Sequence, residues 1–313
     1  GASAQYGSDA IAGVINIVLK ETTNTLSVSS TAGLFNATPR KTISNKTDGN
    51  TYKLALNYGA KISNAGFINF STEILSSDNT LRLGTTEREK YGQAGVKNVS
   101  MFFNSQIPIH KNTQLYANGG FNYRSTEAYA FTRIPDSERN VIAIYENGFN
   151  PIIGSTIADN SLSIGFITKL KNWNIDINNT FGRNNFKYTI KNTLNATLEE
   201  NSPTEFDAGG HQLIQNTTSL NFSKYFTEIA HGFNIALGLE YRLDKYDIFA
   251  GEEASYAAYD IYGNIVTGVT PSTNLTSLNG NPRPGGSQGF PGYSIENEVS
   301  KSRTNFSMYG DTE

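Results

Sequence analysis

The chain of 313 residues has no cysteine, a single tryptophan and two methionines. Without thiols it can form no disulfide scaffold, no thiolate metal site and no cysteine nucleophile. Nor does it contain a run of about 18 apolar residues, so no helix of it can span a bilayer. The net charge is only −3. With no polybasic footprint, nucleic acid is not an expected partner. Catalytic and metal signatures are equally scarce. There is no His-Glu-x-x-His, no Ser-x-x-Lys and no phosphate-binding glycine pattern, and no cofactor is expected.

What the chain does have is aromatics, 17 Tyr and 18 Phe, set in segments of strict alternation. In Phe233 to Tyr241 the odd positions are Phe233, Ile235, Leu237, Leu239 and Tyr241, and the even ones are Asn234, Ala236, Gly238 and Glu240. A helix would scatter these side chains around its circumference, whereas a strand separates them onto two faces. Residues 51–59, 161–170 and 173–181 repeat the pattern, and weaker copies lie at 24–35, 66–76, 98–108, 113–125, 214–226 and 301–310. About ten strands result, most longer than the five or six residues usual in soluble sheets. A tilted strand of about 9–11 residues crosses a bilayer core. Its alternating faces keep the average hydropathy low, here −0.40, so a transmembrane barrel passes unseen by hydropathy. Aromatics near strand ends (Tyr52, Tyr58, Trp173, Phe181, Tyr225, Phe226, Tyr241) suit an interface girdle.

The intervening segments alternate in length. Residues 36–50, 77–97, 126–160, 187–212 and 248–300 are long, and 60–65, 109–112, 171–172 and 227–231 are short. Outer-membrane barrels join their strands by long loops outside and short turns inside. A soluble sandwich has no reason to keep that order. Residues 280–294 are too rich in Pro and Gly for regular structure and read as a flexible loop.

The first twenty residues form a small, polar turn around Tyr6-Gly7-Ser8-Asp9 and then an apolar segment, Ala10 to Leu19, expected to be a buried strand. This stretch resembles the end of the plug domain of TonB-dependent outer-membrane receptors. Ala2, Ser3, Ala4, Tyr6, Gly7, Ser8, Ala10, Ile11, Gly13, Val14, Ile15, Asn16, Ile17 and Lys20 all fit that family's pattern, while Gln5 replaces its usual aliphatic residue. Tyr6, Gly7, Gly13 and Asn16 are the structural core of the motif. The resemblance implies an all-β fold. Residues 1–22 would end a plug domain, and 23–313 would begin an antiparallel transmembrane β-barrel, partial and with two unpaired edges. It further implies a bacterial outer-membrane location, contact with outer-membrane lipid and with TonB through an upstream segment, and uptake rather than catalysis. The cargo would be a scarce small molecule such as a ferric siderophore, cobalamin or an oligosaccharide, with a siderophore-like one favoured. A passive porin-type barrel and a soluble secreted all-β binding protein are the alternatives.

Candidate site residues come from the loops. Tyr129, Tyr145, Tyr256 and Tyr259, with Phe149, Tyr262 and Tyr293, could stack on a ligand at the barrel mouth, although aromatics of this kind more commonly pack their own loops. Arg124, Arg183 and Arg242 are expected to face the lumen, where they would attract an anionic ligand or hold the plug. Asp244, Asp247, Glu252, Glu253 and Asp260 gather at the start of the longest loop, as oxygen ligands of calcium would, although a solvated loop is the more ordinary reading and the one preferred. Gly285, Ser287 and Gly289 match the nucleophile-elbow spacing but sit among prolines, without the strand and helix that the elbow requires. His110, His211 and His231 read as scattered surface or turn residues.

Overall fold

A computed structural model describes residues 17–37, 47–62, 65–83, 88–229, 232–266 and 280–312. Its strands are β1 (Leu26–Asn36), β2 (Thr47–Ile62), β3 (Gly66–Ser77), β4 (Arg82–Leu83), β5 (Lys90–Tyr91), β6 (Gly95–His110), β7 (Thr113–Tyr129), β8 (Ile152–Leu170), β9 (Trp173–Lys191), β10 (Glu205–Phe226), β11 (Phe233–Phe249) and β12 (Val299–Thr312). Ten of them form one sheet in the order β1-β2-β3-β6-β7-β8-β9-β10-β11-β12, while β4 and β5 pair apart as a small ribbon. Every neighbour in the large sheet is antiparallel. The fold is therefore an all-β meander of the barrel type. Among the described residues it is open, because β1 and β12 each have one neighbour there.

The alternation in the sequence becomes two faces in space. One row across the sheet reads Ile107, Leu115, Phe166, Ile177, Leu220, Leu239 and Met308, each opposite the next. The adjacent row on the opposite face reads Gln106, Tyr116, Gly165, Asn178, Ser219, Glu240 and Ser307. Register is thus preserved over seven strands, as period-2 patterning demands, since a one-residue slip would exchange the two faces. The apolar face is the more exposed one. Leu239 is 41% and Met308 74% accessible, whereas Ala236 on the polar face is 7% accessible. A soluble sandwich would have covered these apolar rows with a second sheet.

On the polar face, side chains reach across strands. The Tyr116 hydroxyl donates to Asp176 Oδ1 at 3.0 Å, and that of Tyr309 donates to Asn221 Oδ1 at 3.0 Å. Lys53 pairs with Glu73 at 3.5 Å. Lys171 and Asn172, both at positive φ, make the two-residue turn between β8 and β9.

Several strands outrun the alternating segments that announce them. β8 starts at Ile152, β9 ends at Lys191 and β10 starts at Glu205. Beyond the apolar band the backbone ladder continues, but the outward side chains turn polar and the pattern fades. The Ile17–Leu19 end of the expected buried strand differs more sharply. It is irregular, with Ile17 76% and Val18 83% accessible. No strand among the described residues pairs with it, and without a hydrogen-bonded neighbour a β-strand has no ladder. The segment after it is held by side chains of the polar face instead. Asn104 Nδ2 donates to Lys20 O at 3.1 Å and Asn69 Nδ2 to Thr22 O at 2.9 Å, and Asn24 N donates to Gly59 O at 2.6 Å.

Candidate functional site

The three longest described connections do not splay. Val141, Phe149, Leu194 and Ala196 bury one another, with Ile144 and Tyr145 packed against them. Gln288 joins the loops. Its backbone N–H donates to Leu194 O at 3.2 Å and its carbonyl accepts from Thr193 Oγ1 at 2.8 Å. Its side-chain oxygen accepts from Arg133 and Arg139 at 3.3 and 3.2 Å. Asn195, fully buried, donates to Ala254 O and Ala257 O at 2.8 Å each. The segment around Ser287 is irregular as expected but not flexible, because backbone bonds to Ser255, Ala257 and Leu194 fix it. Ser287 itself is buried and its hydroxyl lies 2.8 Å from Phe290 O. Among the described residues around it, 280–294, no strand leads into Ser287 and no α-helix leaves it, so the elbow geometry is absent there.

Beneath this cap, on the polar face, lies an aromatic cluster. Phe186 stacks on His211 with centroids 5.1 Å apart, and Tyr188 packs against Phe290 at 4.7 Å and Tyr293 at 6.2 Å. Tyr246 flanks His211 at 6.3 Å and stays 41% accessible. Phe186, Tyr188, His211 and Tyr246 come from three adjacent strands, and Phe290 and Tyr293 come from the longest loop. Burial raises the Tyr188 hydroxyl pKa above its ordinary value. His211 Nδ1 is buried with no hydrogen-bond partner among the described residues.

A pocket of about 390 Å³ adjoins the cluster, lined by Leu213, Gln215, Asp244, Tyr246, Lys301 and Arg303. Asp244 is saturated, accepting from Gln215 Nε2 at 2.8 Å and from Arg303 Nε at 2.8 Å, with Arg242 Nε at 3.6 Å. Lys301 has no ion-pair partner among the described residues. The pocket therefore offers one tyrosine face, two cations and one anion already engaged. Such a wall suits a flat, anionic solute that can stack on the ring and face a cation.

Of the residues marked by the sequence, Tyr6, Gly7, Gly13, Asn16 and His231 lie outside the described residues. Tyr129 is the last residue of β7 rather than a loop residue, on the apolar face, with Lys90 Nζ 4.7 Å from its ring centroid. Tyr145 stacks on Phe149 at 4.4 Å inside the loop core. The Tyr259 hydroxyl donates to Glu253 Oε1 at 3.0 Å, and Tyr256 caps the 3-10 turn Glu253–Ser255. These tyrosines do not converge on one cleft. Arg124 and Arg242 share the polar face, but Arg183 does not. It lies on the same side as Phe181 and Ile177, because its number has their parity and β9 pairs without a bulge across this region. Asp244 and Asp247 sit within β11 rather than in the loop, and no metal-binding group of acidic residues and histidines exists among the described residues. His110 ends β6. His211 is no scattered turn residue but a member of the aromatic cluster. Its odd parity with Leu213, opposite Tyr246 and Ile248 across the sheet, was the available signal.

No family model and no curated protein matches the chain. Among solved structures it is similar to the siderophore receptor PiuA from Acinetobacter baumannii, at a TM-score of 0.55 and 14% identity. That likeness covers 100% of this chain and 44% of the receptor, so the chain spans less than half of the receptor's length. It shows a shared β-barrel fold.

Proposed function

We propose that the chain is part of a TonB-dependent receptor of the bacterial outer membrane, and that it imports a siderophore-like ligand rather than catalysing a reaction. Residues 1–22 would close the plug and 23–313 would build the first part of the barrel wall. The observation that carries this reading is the exposed apolar face backed by a polar face of matching register. Lipid on one side and a hydrated lumen on the other satisfy both at once. On the apolar face of β9, Trp173 and Arg183 bound a stretch that is apolar except for Asn179, whose amide is engaged by Asn216 and Thr218. Ten residues of strand rise about 33 Å, which at a tilt of about 40° spans about 25 Å of bilayer. At the Trp173 end, Lys224 Nζ lies 5.7 Å from the Trp173 ring and 4.5 Å from that of Phe226. An apolar stem with a charged tip of this kind belongs at a membrane interface.

The long loops then lie outside the cell, and the aromatic cluster with its pocket lies just inside the mouth. Tyr246, Lys301 and Arg303 would make the first lumenal contacts with ligand. In the family the proton gradient acts through TonB on the plug.

The test is uptake of radio-iron by cells carrying the whole receptor, offered as ferric catecholate, hydroxamate and citrate chelates. Uptake of one chelate that stops with an uncoupler or with loss of TonB supports the reading. Diffusion of all three that is insensitive to the uncoupler identifies a passive porin and refutes it.

A further inference from the structure

Charged residues on the apolar face are confined to its borders. At the long-loop border Lys97, Arg183, Lys187 and Lys245 all have the parity of that face. Lys97 and Lys187 stand on one rung, linked through the pairs Lys97–Ser125, Ser125–Thr156 and Thr156–Lys187. Arg183 and Lys245 stand on another, either side of Ile214. Just above that rung, Asn185, Gln212, Asp247 and Ser300 face one another across four strands. Their side chains are joined throughout. Asn185 Nδ2 donates to Gln212 Oε1 at 3.3 Å, Gln212 Nε2 to Asp247 Oδ2 at 3.1 Å and Ser300 Oγ to Asp247 Oδ1 at 2.6 Å.

Two of the cations are fastened to this row. Arg183 Nε donates to Gln212 Oε1 at 2.7 Å, and Lys245 Nζ lies 3.2 Å from Asp247 Oδ1. Gln212 and Asp247 are themselves nearly inaccessible, at 8% and 5%. A polar row with a buried centre that holds cations outward is a built arrangement rather than a chance of surface composition. The acid in it neutralises one of the four charges, and the rest look out where the apolar band ends. A charge facing lipid is costly at mid-bilayer and nearly free at the interface, and cations at an interface draw anionic headgroups.

We propose that this border is a binding site for a phosphate-bearing lipid of the outward leaflet. The phosphate is held by Arg183, Lys187 and Lys245, and the acyl chains lie over Phe181, Leu243 and Phe306 of the apolar face. The inference rests on the membrane reading above, but not on any ligand being imported. The guanidinium of Arg183, fixed at Nε, leaves its two terminal nitrogens to bind phosphate in a fork.

The test reconstitutes the detergent-purified receptor into nanodiscs of phosphatidylcholine with or without monophosphoryl lipid A. Native mass spectrometry then counts retained lipid for the wild type, R183Q/K187Q/K245Q and the polar-face control K301Q. The wild type and K301Q should retain monophosphoryl lipid A. The triple variant should bind it more weakly by about fivefold per charge removed, and added salt should narrow the gap. Heat-modifiability on a gel confirms that the variant is folded. Equal retention by the folded variant would overturn the site. Failure of every form to enter nanodiscs would overturn the membrane reading instead. If R183Q/K187Q/K245Q does not fold, wild-type retention of phosphatidylcholine as strong as that of monophosphoryl lipid A would count against the proposal just as firmly.

Discussion

The ring of Tyr116 lies across Gly165 of the neighbouring strand, so that its hydroxyl reaches Asp176 one strand further, at 3.0 Å. Only glycine permits this, since a Cβ on residue 165 would overlap the tyrosine ring. Tyr309 repeats the device over Gly238 to reach Asn221. The polar face is therefore braced by aromatic rings seated in glycine notches, each tying three strands together. Gly165→Ala should displace the ring and lower stability by about 1–3 kcal/mol. Tyr116→Phe, which keeps the ring and loses the bond, should cost about 1 kcal/mol. Urea unfolding in lipid, followed by tryptophan emission from Trp173, reads both. Equal stability of Gly165→Ala and wild type would show that the notch is incidental.

The loop cap depends on Asn195 more than on any loop tyrosine. Its amide donates to two carbonyls and its Oδ1 accepts from Thr197 N and Oγ1 at 3.1 and 2.7 Å. Asn195→Ala leaves several buried groups unsatisfied, at about 1–3 kcal/mol for each that finds no water. The loops should then be cut by protease on intact cells far faster than in the wild type, while the barrel strands stay protected.

Tyr259 gives the cap an alkaline limit. Burial first, then its bond to Glu253, pushes its pKa from 10.0 up to about 12. In the unfolded loop the phenol ionises near 10, so its contribution is complete below that pH and is lost as pH climbs towards 12. Burial raises other phenols too, Tyr145 and Tyr188 among them, so the check is a difference: tyrosinate absorbance gained above pH 10 should fall by one group in Tyr259→Phe. Loss of cap structure below pH 10 would contradict this assignment.

Tyr246, Lys301 and Arg303 line the pocket under the cap. If the proposed uptake function holds, Tyr246→Ala and Lys301→Gln should each weaken binding of an anionic chelate roughly tenfold, the size of a stacking or cation contact of about 1.4 kcal/mol. Tyr129→Ala, on the apolar face, should leave binding unchanged. Chelate titrations followed by fluorescence quenching decide between the two outcomes.

Much of the architecture is legible in the residue order. The row from Ile107 to Met308 is foreshadowed by alternation within each strand, and long and short connections alternate as the meander requires. The strand ends are not legible, because past Arg183 the side chains of β9 are polar or aromatic on both faces up to Ile190. Arg183 was misplaced for the same reason: an arginine next to apolar residues suggests a lumen, and only its parity with Phe181 corrects that. The aromatic cluster is hidden too. Phe186, His211, Tyr246 and Phe290 are distant in sequence, and nothing local marks them as neighbours. Nor does the composition of 280–294 reveal that its backbone bonds to Leu194 of another loop and to Ser255 and Ala257 earlier in its own.

The orientation of the two faces is tested most directly by a scan along β11, made clean by the absence of native cysteine. Single cysteines at positions 236 to 241 would carry a nitroxide, with the protein in lipid, and collisions with oxygen and with a water-soluble nickel chelate would be measured. The account predicts strict alternation, with Leu237, Leu239 and Tyr241 sites open to oxygen and shielded from nickel, and Ala236, Gly238 and Glu240 sites the reverse. A uniform profile, or nickel favouring the odd positions, would contradict it.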